Sequence, residues 1–347
     1  MPKMFKRSLT RRQRHGLATL LLAPTLLLVS CTASAHGTDL TNPDGTVKVR
    51  YEGAANTVTL PELAGALGYL DGIDLEWVGN NSSGPSAIQN TATGQTEIGS
   101  AFAGAVVKLQ EAGSPVTAVV SSYGSNDEYF VGFYTAKESG INNVRDLIGK
   151  TVAVNTLGAH SEAVIGTYLK AQGLSQDEIN QVQLVVLPPT DTEQAIRTHQ
   201  VDVGALSGAP QVHAVKQGGL KEVFRDTEVF NNFNAGEYVL RDDFIAQYPD
   251  AAHTLATGIA KAANWASSHP RQEVLKKLTG ILESRNRGDD VEALRYFNGY
   301  GVGKNAPISD EDFSRWTQWL NDTGIVEGEI TPGEYYTNEF NDLAREG

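Results

Sequence analysis

The stretch VRDLIGKTVAVNTLGAHS, residues 144–161, decides the fold class. Val144 to Ile148 reads as one helical turn. Lys150 to Val154 is a short apolar run rich in β-branched residues, the composition of a strand. Asn155 to Gly158 is small and polar, and from Ala159 to Gln172 the apolar spacing is helical until Gly173 stops it. Strand, polar loop and long helix in that order form the repeating unit of an α/β sheet.

The unit recurs in both directions. Upstream, strands are expected at Val47–Tyr51, Asp74–Val78, Glu97–Ser100 and Val116–Val120, each of the first three followed by a helical pattern. Downstream, Val182–Leu187 and Val201–Leu206 read as strands, Tyr238–Leu240 as a returning strand, and the segments 249–267, 272–282, 289–297 and 310–323 as helices. About 300 residues of this kind exceed what one core organises, so two lobes are expected, each a mostly parallel sheet flanked by helices. Crossings near Phe133–Ala136 and Phe233–Glu237 would make a double hinge. The division is then 47–135 plus 236–347 for lobe I and 136–235 for lobe II.

The first thirty residues read differently. Lys3, Lys6, Arg7, Arg11, Arg12 and Arg14 precede an apolar run from Leu17 to Val29, the order of a secretory signal. Leu28-Val29-Ser30-Cys31 resembles a bacterial lipoprotein cleavage site, which makes Cys31 the expected lipidation point; an ordinary signal-peptidase site at Ala33-Ser34-Ala35 is the alternative. Residues 31–46 read as a flexible tether. Cys31 is the single cysteine, so an internal disulfide or cysteine-based metal cluster is excluded. Removal of the signal takes six basic residues and leaves 22 Lys and Arg against 41 Asp and Glu, a net of −19. That charge disfavours nucleic acid and anionic membrane surfaces.

The order and spacing of Ala92–Gly99, Val144–Val154, Leu187-Pro188-Pro189 with Glu193-Gln194-Ala195, and Gln200–Val203 resemble the periplasmic binding proteins of nitrate, sulfonate and taurine ABC importers, which include binders of thiamine-precursor pyrimidines. The resemblance implies a type II periplasmic binding protein fold, no enzymatic activity, no cofactor or metal, and a small-molecule ligand delivered to a permease and ATPase. The N-terminal reading places the protein at the membrane through a lipid on Cys31, facing the periplasm or cell exterior, and with no sign of a stable oligomer in the sequence a monomer is expected. A same-fold biosynthetic enzyme and an extracellular sensor are the competing classes. One departure is the segment Leu206–Pro210, small and aliphatic where many relatives carry an aromatic.

Ligands of open parallel sheets bind beyond the carboxyl ends of the strands. That rule selects Tyr51, Glu52 and Asn56 after the first strand, Ser82 and Ser83 after the second, Ser100 at the third and Tyr123 after the fourth. In the second lobe it selects Asn155, Thr156, Gly158, Ala159, His160 and Ser207, with Glu237 near the second hinge. Ser82–Gly84 and Thr156–Ser161 each precede a helix, where free backbone N–H groups favour an anion; the same residues serve equally as helix caps. Glu52, facing a cleft, would repel a plain anion and favour an amine-bearing solute. None of the seven histidines falls in a metal-binding or nucleophile motif.

Overall fold

The computed structural model describes residues 39–81 and 83–346. The expected signal segment, Cys31 and Ser82 lie outside the described residues.

Strands β1 (Val47–Gly53), β2 (Ile73–Asn80), β3 (Ile98–Phe102) and β4 (Val116–Ser125) lie in a first sheet. β5 (Gly132–Ala136), β6 (Thr151–Val154), β7 (Gln183–Val186), β8 (Val203–Leu206) and β9 (Leu220–Arg225) lie in a second, and β10 (Phe233–Arg241) returns to the first. The spatial orders are β2-β1-β3-β10-β4 and β7-β6-β8-β5-β9. β1 pairs in parallel with β2 and β3, and β6 with β7 and β8. β10 runs antiparallel to β3 and β4, and β5 antiparallel to β8 and β9.

The two reversed strands have one topological cause. β4 and β9 both end at the carboxyl edge of their sheet, and the chain crosses from there to the other sheet. A strand that enters at the carboxyl edge must run against its neighbours, as β5 and β10 do. The carboxyl edges of the two sheets therefore face one another, and both crossings run along the gap between them.

Helices α1 (Leu60–Ala66), α2 (Gly84–Ala92), α3 (Ala103–Glu111) and α4 (His160–Ala171) follow β1, β2, β3 and β6. α2 lies so close to β3 that a Cβ at Gly99 would sit 2.4 Å from Thr91 Oγ1 and 2.6 Å from the Ala87 carbonyl oxygen. On one face of the first sheet Val119 is fully buried in one cluster with Leu60 and Leu63 of α1, Leu255 and Ile259 of helix Pro249–Ser268, and Leu278 of helix Arg271–Arg285. On the other, Val106, Phe313, Trp316 and Trp319 join Val152, Val164 and Phe224 of the second sheet's layer in one continuous apolar cluster. The apolar core thus runs from one sheet to the other.

Four expectations are corrected. Residues 39–46 of the expected tether are packed on the fold: Leu40 is buried, its N–H donates to Tyr248 Oη at 2.7 Å, and Thr41 bridges Val47. Leu40 is the one apolar residue of that run, and the turn Asn42–Gly45 folds it back onto the core. The crossings lie at residues 126–131 and 226–232, ahead of the expected hinges. Phe133 belongs inside β5, stacked on Phe224 at 4.2 Å between ring centroids, and Glu237 inside β10. Residues 289–297 contain a 3-10 helix, Val291–Tyr296, in place of an α-helix. The segment 310–323 is two helices, Asp310–Ser314 and Thr317–Asp322. Consecutive helical residues point about 100° apart, so the break allows both Arg315 and Trp316 to turn inward.

Candidate functional site

At the carboxyl edge of the second sheet, Ala159 adopts an extended backbone and α4 begins with His160. The imidazole enters a ring cage drawn from both sides of the gap. Centroids of Phe102 at the end of β3, Tyr123 of β4, Phe233 of β10 and Trp316 lie 6.1, 5.9, 5.9 and 5.7 Å from it. His160 is 7% exposed, and its Nε2 has no hydrogen-bond partner among the described residues. Burial first, and the Arg315 charge second, push its pKa down to about 3, so the ring is neutral at physiological pH.

Glu237 reaches the same region from β10. The side chain is fully buried, and neither carboxyl oxygen has a partner among the described residues. Burial, aided by Asp312 and opposed by Arg315, raises its pKa well above the usual carboxylate value. Next to it, a Cβ on Gly236 would fall 2.1 Å from Tyr123 Cε1, so glycine there is what admits the Tyr123 ring against the strand. Burial and the nearby Glu237 drive the Tyr123 hydroxyl upward in turn.

The C-terminal segment completes the cluster. Trp316 is fully buried with its Nε1 unpaired among the described residues. Arg315 lies over the Phe233 ring at 4.8 Å, with Asp312 and Glu311 no closer than 3.6 and 3.7 Å and its Nε unpaired. Burial lowers its pKa. Buried polar atoms are paired in the great majority of cases, so the imidazole Nε2, the indole N–H, the Glu237 carboxyl and the guanidinium Nε, unpaired among the described residues, mark this ring cluster as the candidate site. The arrangement offers aromatic walls, neutral donors, and one acidic and one basic group that do not pair with each other.

Of the residues expected at the site, His160, Tyr123 and Glu237 meet here. Tyr51 does not: its hydroxyl donates to Glu62 at 3.0 Å and accepts from Arg287 at 2.9 Å, and burial with Glu62 pushes its pKa up to about 12. Asn56, at φ 59°, is tied to the loop after helix Arg271–Arg285; its N–H donates to Asp289 and its Oδ1 accepts from Asp290 N, both at 2.7 Å. Glu52 is clamped by Asn81 Nδ2 at 2.7 Å and Asn90 Nδ2 at 2.9 Å, which satisfies the carboxylate within the protein. Ser100 donates to Ser122 at 2.7 Å.

Ser83 precedes α2 without a side-chain cap and is half-buried, as are Asn155, Thr156 and Ser207 at their loops. Gly158, at φ 69°, donates its N–H to Glu162 Oε2 at 2.8 Å. That carboxylate in the first turn of α4 already occupies a donor of the expected anion cradle. Near the aliphatic segment at Ser207–Gly208 the aromatic comes from elsewhere: a Cβ on Gly208 would lie 3.5 Å from the Tyr129 ring of the first crossing. Phe102, Phe233, Arg315 and Trp316 are not among the residues expected at the site; for Arg315 and Trp316, nothing in a C-terminal helical pattern marks a residue that turns toward a distant loop.

Two open hollows, about 460 Å³ beside Glu193, Arg197 and His213 and about 500 Å³ beside Asn42 and Asp74, are lined by none of these residues. In the first, Glu193 is already paired with both Arg197 and His213.

Two mixed α/β sheets facing across a doubly crossed gap define the type II periplasmic binding protein fold. The chain belongs to the NMT1/THI5-like family, whose model matches residues 63–273. A search of curated proteins returns no match. Among solved structures, the periplasmic aliphatic sulphonate binding protein SsuA from Escherichia coli is similar at TM-score 0.65 and 17% identity, over 84% of this chain and 92% of its own. The periplasmic nitrate-binding protein NrtA from Synechocystis PCC 6803 is similar at TM-score 0.66 and 15% identity, over 87% and 88%. The desulfurization enzyme DSZB is similar at TM-score 0.58 and 15% identity, over 86% and 99%.

Proposed function

We propose that this chain is the solute-capturing component of an ABC importer, working outside the cytoplasm and held at the membrane through a lipid on Cys31. The observation that carries the reading is the convergence of unpaired buried polar groups from β10, from α4 and from the C-terminal segment on one ring cage between the sheets. A ligand there touches both sheets' layers at once, so it stabilises only the closed arrangement and shifts the population toward it. The permease then reads closure as the loaded state.

The solute is a small organic molecule of the sulfonate and nitrate class. Glu237 and Arg315, both buried and not paired with one another, favour one that carries an amine as well as an acid, in the manner of taurine. A plain anion would leave Glu237 unanswered. A second reading, a pyrimidine, is favoured by the cage itself: four rings around His160 suit a flat heterocycle that hydrogen-bonds Glu237.

A thermal-shift panel of sulfonates, taurine, nitrate, bicarbonate, amino acids and pyrimidines tests the reading. Ligand at 100 times its dissociation constant stabilises by about 2.7 kcal/mol. A response to aminosulfonates that Glu237→Gln abolishes supports the amine-bearing solute; a response to pyrimidines alone replaces it with the second reading. Silence across the panel from folded protein would sink solute capture of these classes. For the anchor, Cys31→Ser should move the protein from the membrane to the soluble fraction, and an unchanged membrane fraction would count against lipidation.

A further inference from the structure

The two crossings between the sheets are fastened together by one buried acid. Asp226, first residue of the second crossing, is fully buried. Its Oδ2 accepts from Ser125 Oγ at 2.5 Å, at the end of β4, and from the Val131 N–H at 3.2 Å, at the end of the first crossing. Its own N–H donates to the Val131 carbonyl at 3.0 Å. The side chain therefore ties both ends of one hinge strand to the start of the other. Oδ1 is buried with no partner among the described residues.

We propose that Asp226 is a proton-linked staple of the hinge, which holds the closed arrangement when neutral and loosens it when ionised. The physical reason is the missing donor at Oδ1. A neutral carboxyl needs less from its surroundings than a carboxylate, and swinging the crossings apart lets water reach the ionised form. Burial, partly offset by Ser125 and the Val131 and Thr227 amides, raises the pKa to about 6.

Of the groups facing it, only the Arg225 charge favours the carboxylate, and it does not outweigh burial. Arg225, beside it on β9, is spent on Glu222 at 2.7 Å and lies over Phe130 at 3.9 Å. Tyr123 of β4 and Tyr129 of the first crossing both sense Asp226, and burial raises both phenols, so they stay protonated. Glu228, on the short helix beyond, is exposed.

The sign follows from linkage. A carboxyl whose pKa is higher in the closed form takes up a proton on closing, so closure is favoured as pH falls. With the open-form carboxyl at an ordinary value near 4, the closed-to-open ratio rises about tenfold from pH 7 to pH 5. An exported protein meets the external pH directly, and the staple would load solute more tightly in acid and release it more readily near neutrality.

The test needs no ligand, so it stands or falls apart from the choice of solute. In the full chain carrying Cys31→Ser, spin labels at Gln181→Cys and Lys276→Cys report the distance between the two sheets' layers from pH 5 to 8. The wild-type background should show a short-distance population that grows about tenfold relative to the long one on acidification. Asp226→Asn should hold the short population throughout. An unchanged slope in Asp226→Asn, or a wild-type distribution that ignores pH, overturns the proposal. Should Asp226→Asn fail to fold, Ser125→Ala removes one donor to the carboxylate and must move the midpoint to higher pH; an unmoved midpoint is equally fatal.

Discussion

Replacing Arg285 with methionine asks whether the loop after β1 is held by buried charge or by packing. The guanidinium binds Asp289 through Nε and Nη2, at 2.7 Å each, and Glu62 through Nη1 at 3.0 and 3.1 Å. Nη2 also donates to the Ala54 carbonyl at 3.0 Å, on the loop itself. The side chains of Arg285, Glu62 and Asp289 are 6%, 5% and 3% exposed, so water cannot replace the lost cation. Glu62 would keep Arg287 at 2.7 Å, but Asp289 has no other ion pair among the described residues. Stranding a buried carboxylate in this way costs about 3–5 kcal/mol, while methionine refills most of the stem volume and limits any cavity contribution.

Urea unfolding at pH 7, followed by tryptophan fluorescence, should show that loss with an unchanged m-value. The pH dependence gives a second check. Hydrogen bonds from Arg285 are the largest cause of the depressed pKa of Asp289. The stability they confer is present above the ordinary carboxylate pKa and disappears as pH falls through the depressed value. The gap between wild type and Arg285→Met should therefore narrow in strong acid. A loss below about 1 kcal/mol at pH 7 would place the cluster with exposed ion pairs and refute the reasoning.

Glu237 has the opposite sign: because its folded pKa is raised, wild-type stability should fall as pH rises above the ordinary value of 4.5, by at most about 1.4 kcal/mol per pH unit, and Glu237→Gln should flatten the curve. Parallel melting curves for the two from pH 5 to 8 would contradict this. His160→Leu removes an unpaired nitrogen from the ring cage, so stability should hold or rise while ligand affinity drops tenfold or more by calorimetry; retained affinity would put the ligand elsewhere. Gly99→Ala must push α2 off β3 and should cost about 1–3 kcal/mol or more, which thermal unfolding would show as a lowered Tm.

The alternation of strand and helix was legible because each element carries its own short-range signal. The spacing from Thr151 to Ala171 placed β6 and α4 to within a residue or two. Of the positions selected at strand ends and at the second hinge, Tyr123, His160 and Glu237 lie in β4, at the start of α4 and inside β10, and come to the same ring cluster. Tyr51, Glu52 and Asn56 satisfied the same rule and were nonetheless drawn into bonds with Glu62, Arg287, Asn81, Asn90 and Asp289. A strand end says which edge a side chain occupies, not which neighbour will claim it.

From the sequence by itself come the α/β class, the basic-then-apolar order of the first thirty residues, the single cysteine, the acidic charge and the sheet edge on which a site is expected. These follow from periodicity, composition and chain order, which act between residues close in sequence. Tertiary structure alone decided where the chain crosses between sheets, why β5 and β10 run backward, and which polar groups end up buried without partners. Arg315 and Trp316 lie more than 150 positions from His160, and only the break at the end of helix Asp310–Ser314 turns both toward it. Whether a buried polar atom is paired depends on every element packed around it, and that information exists only once the chain has folded.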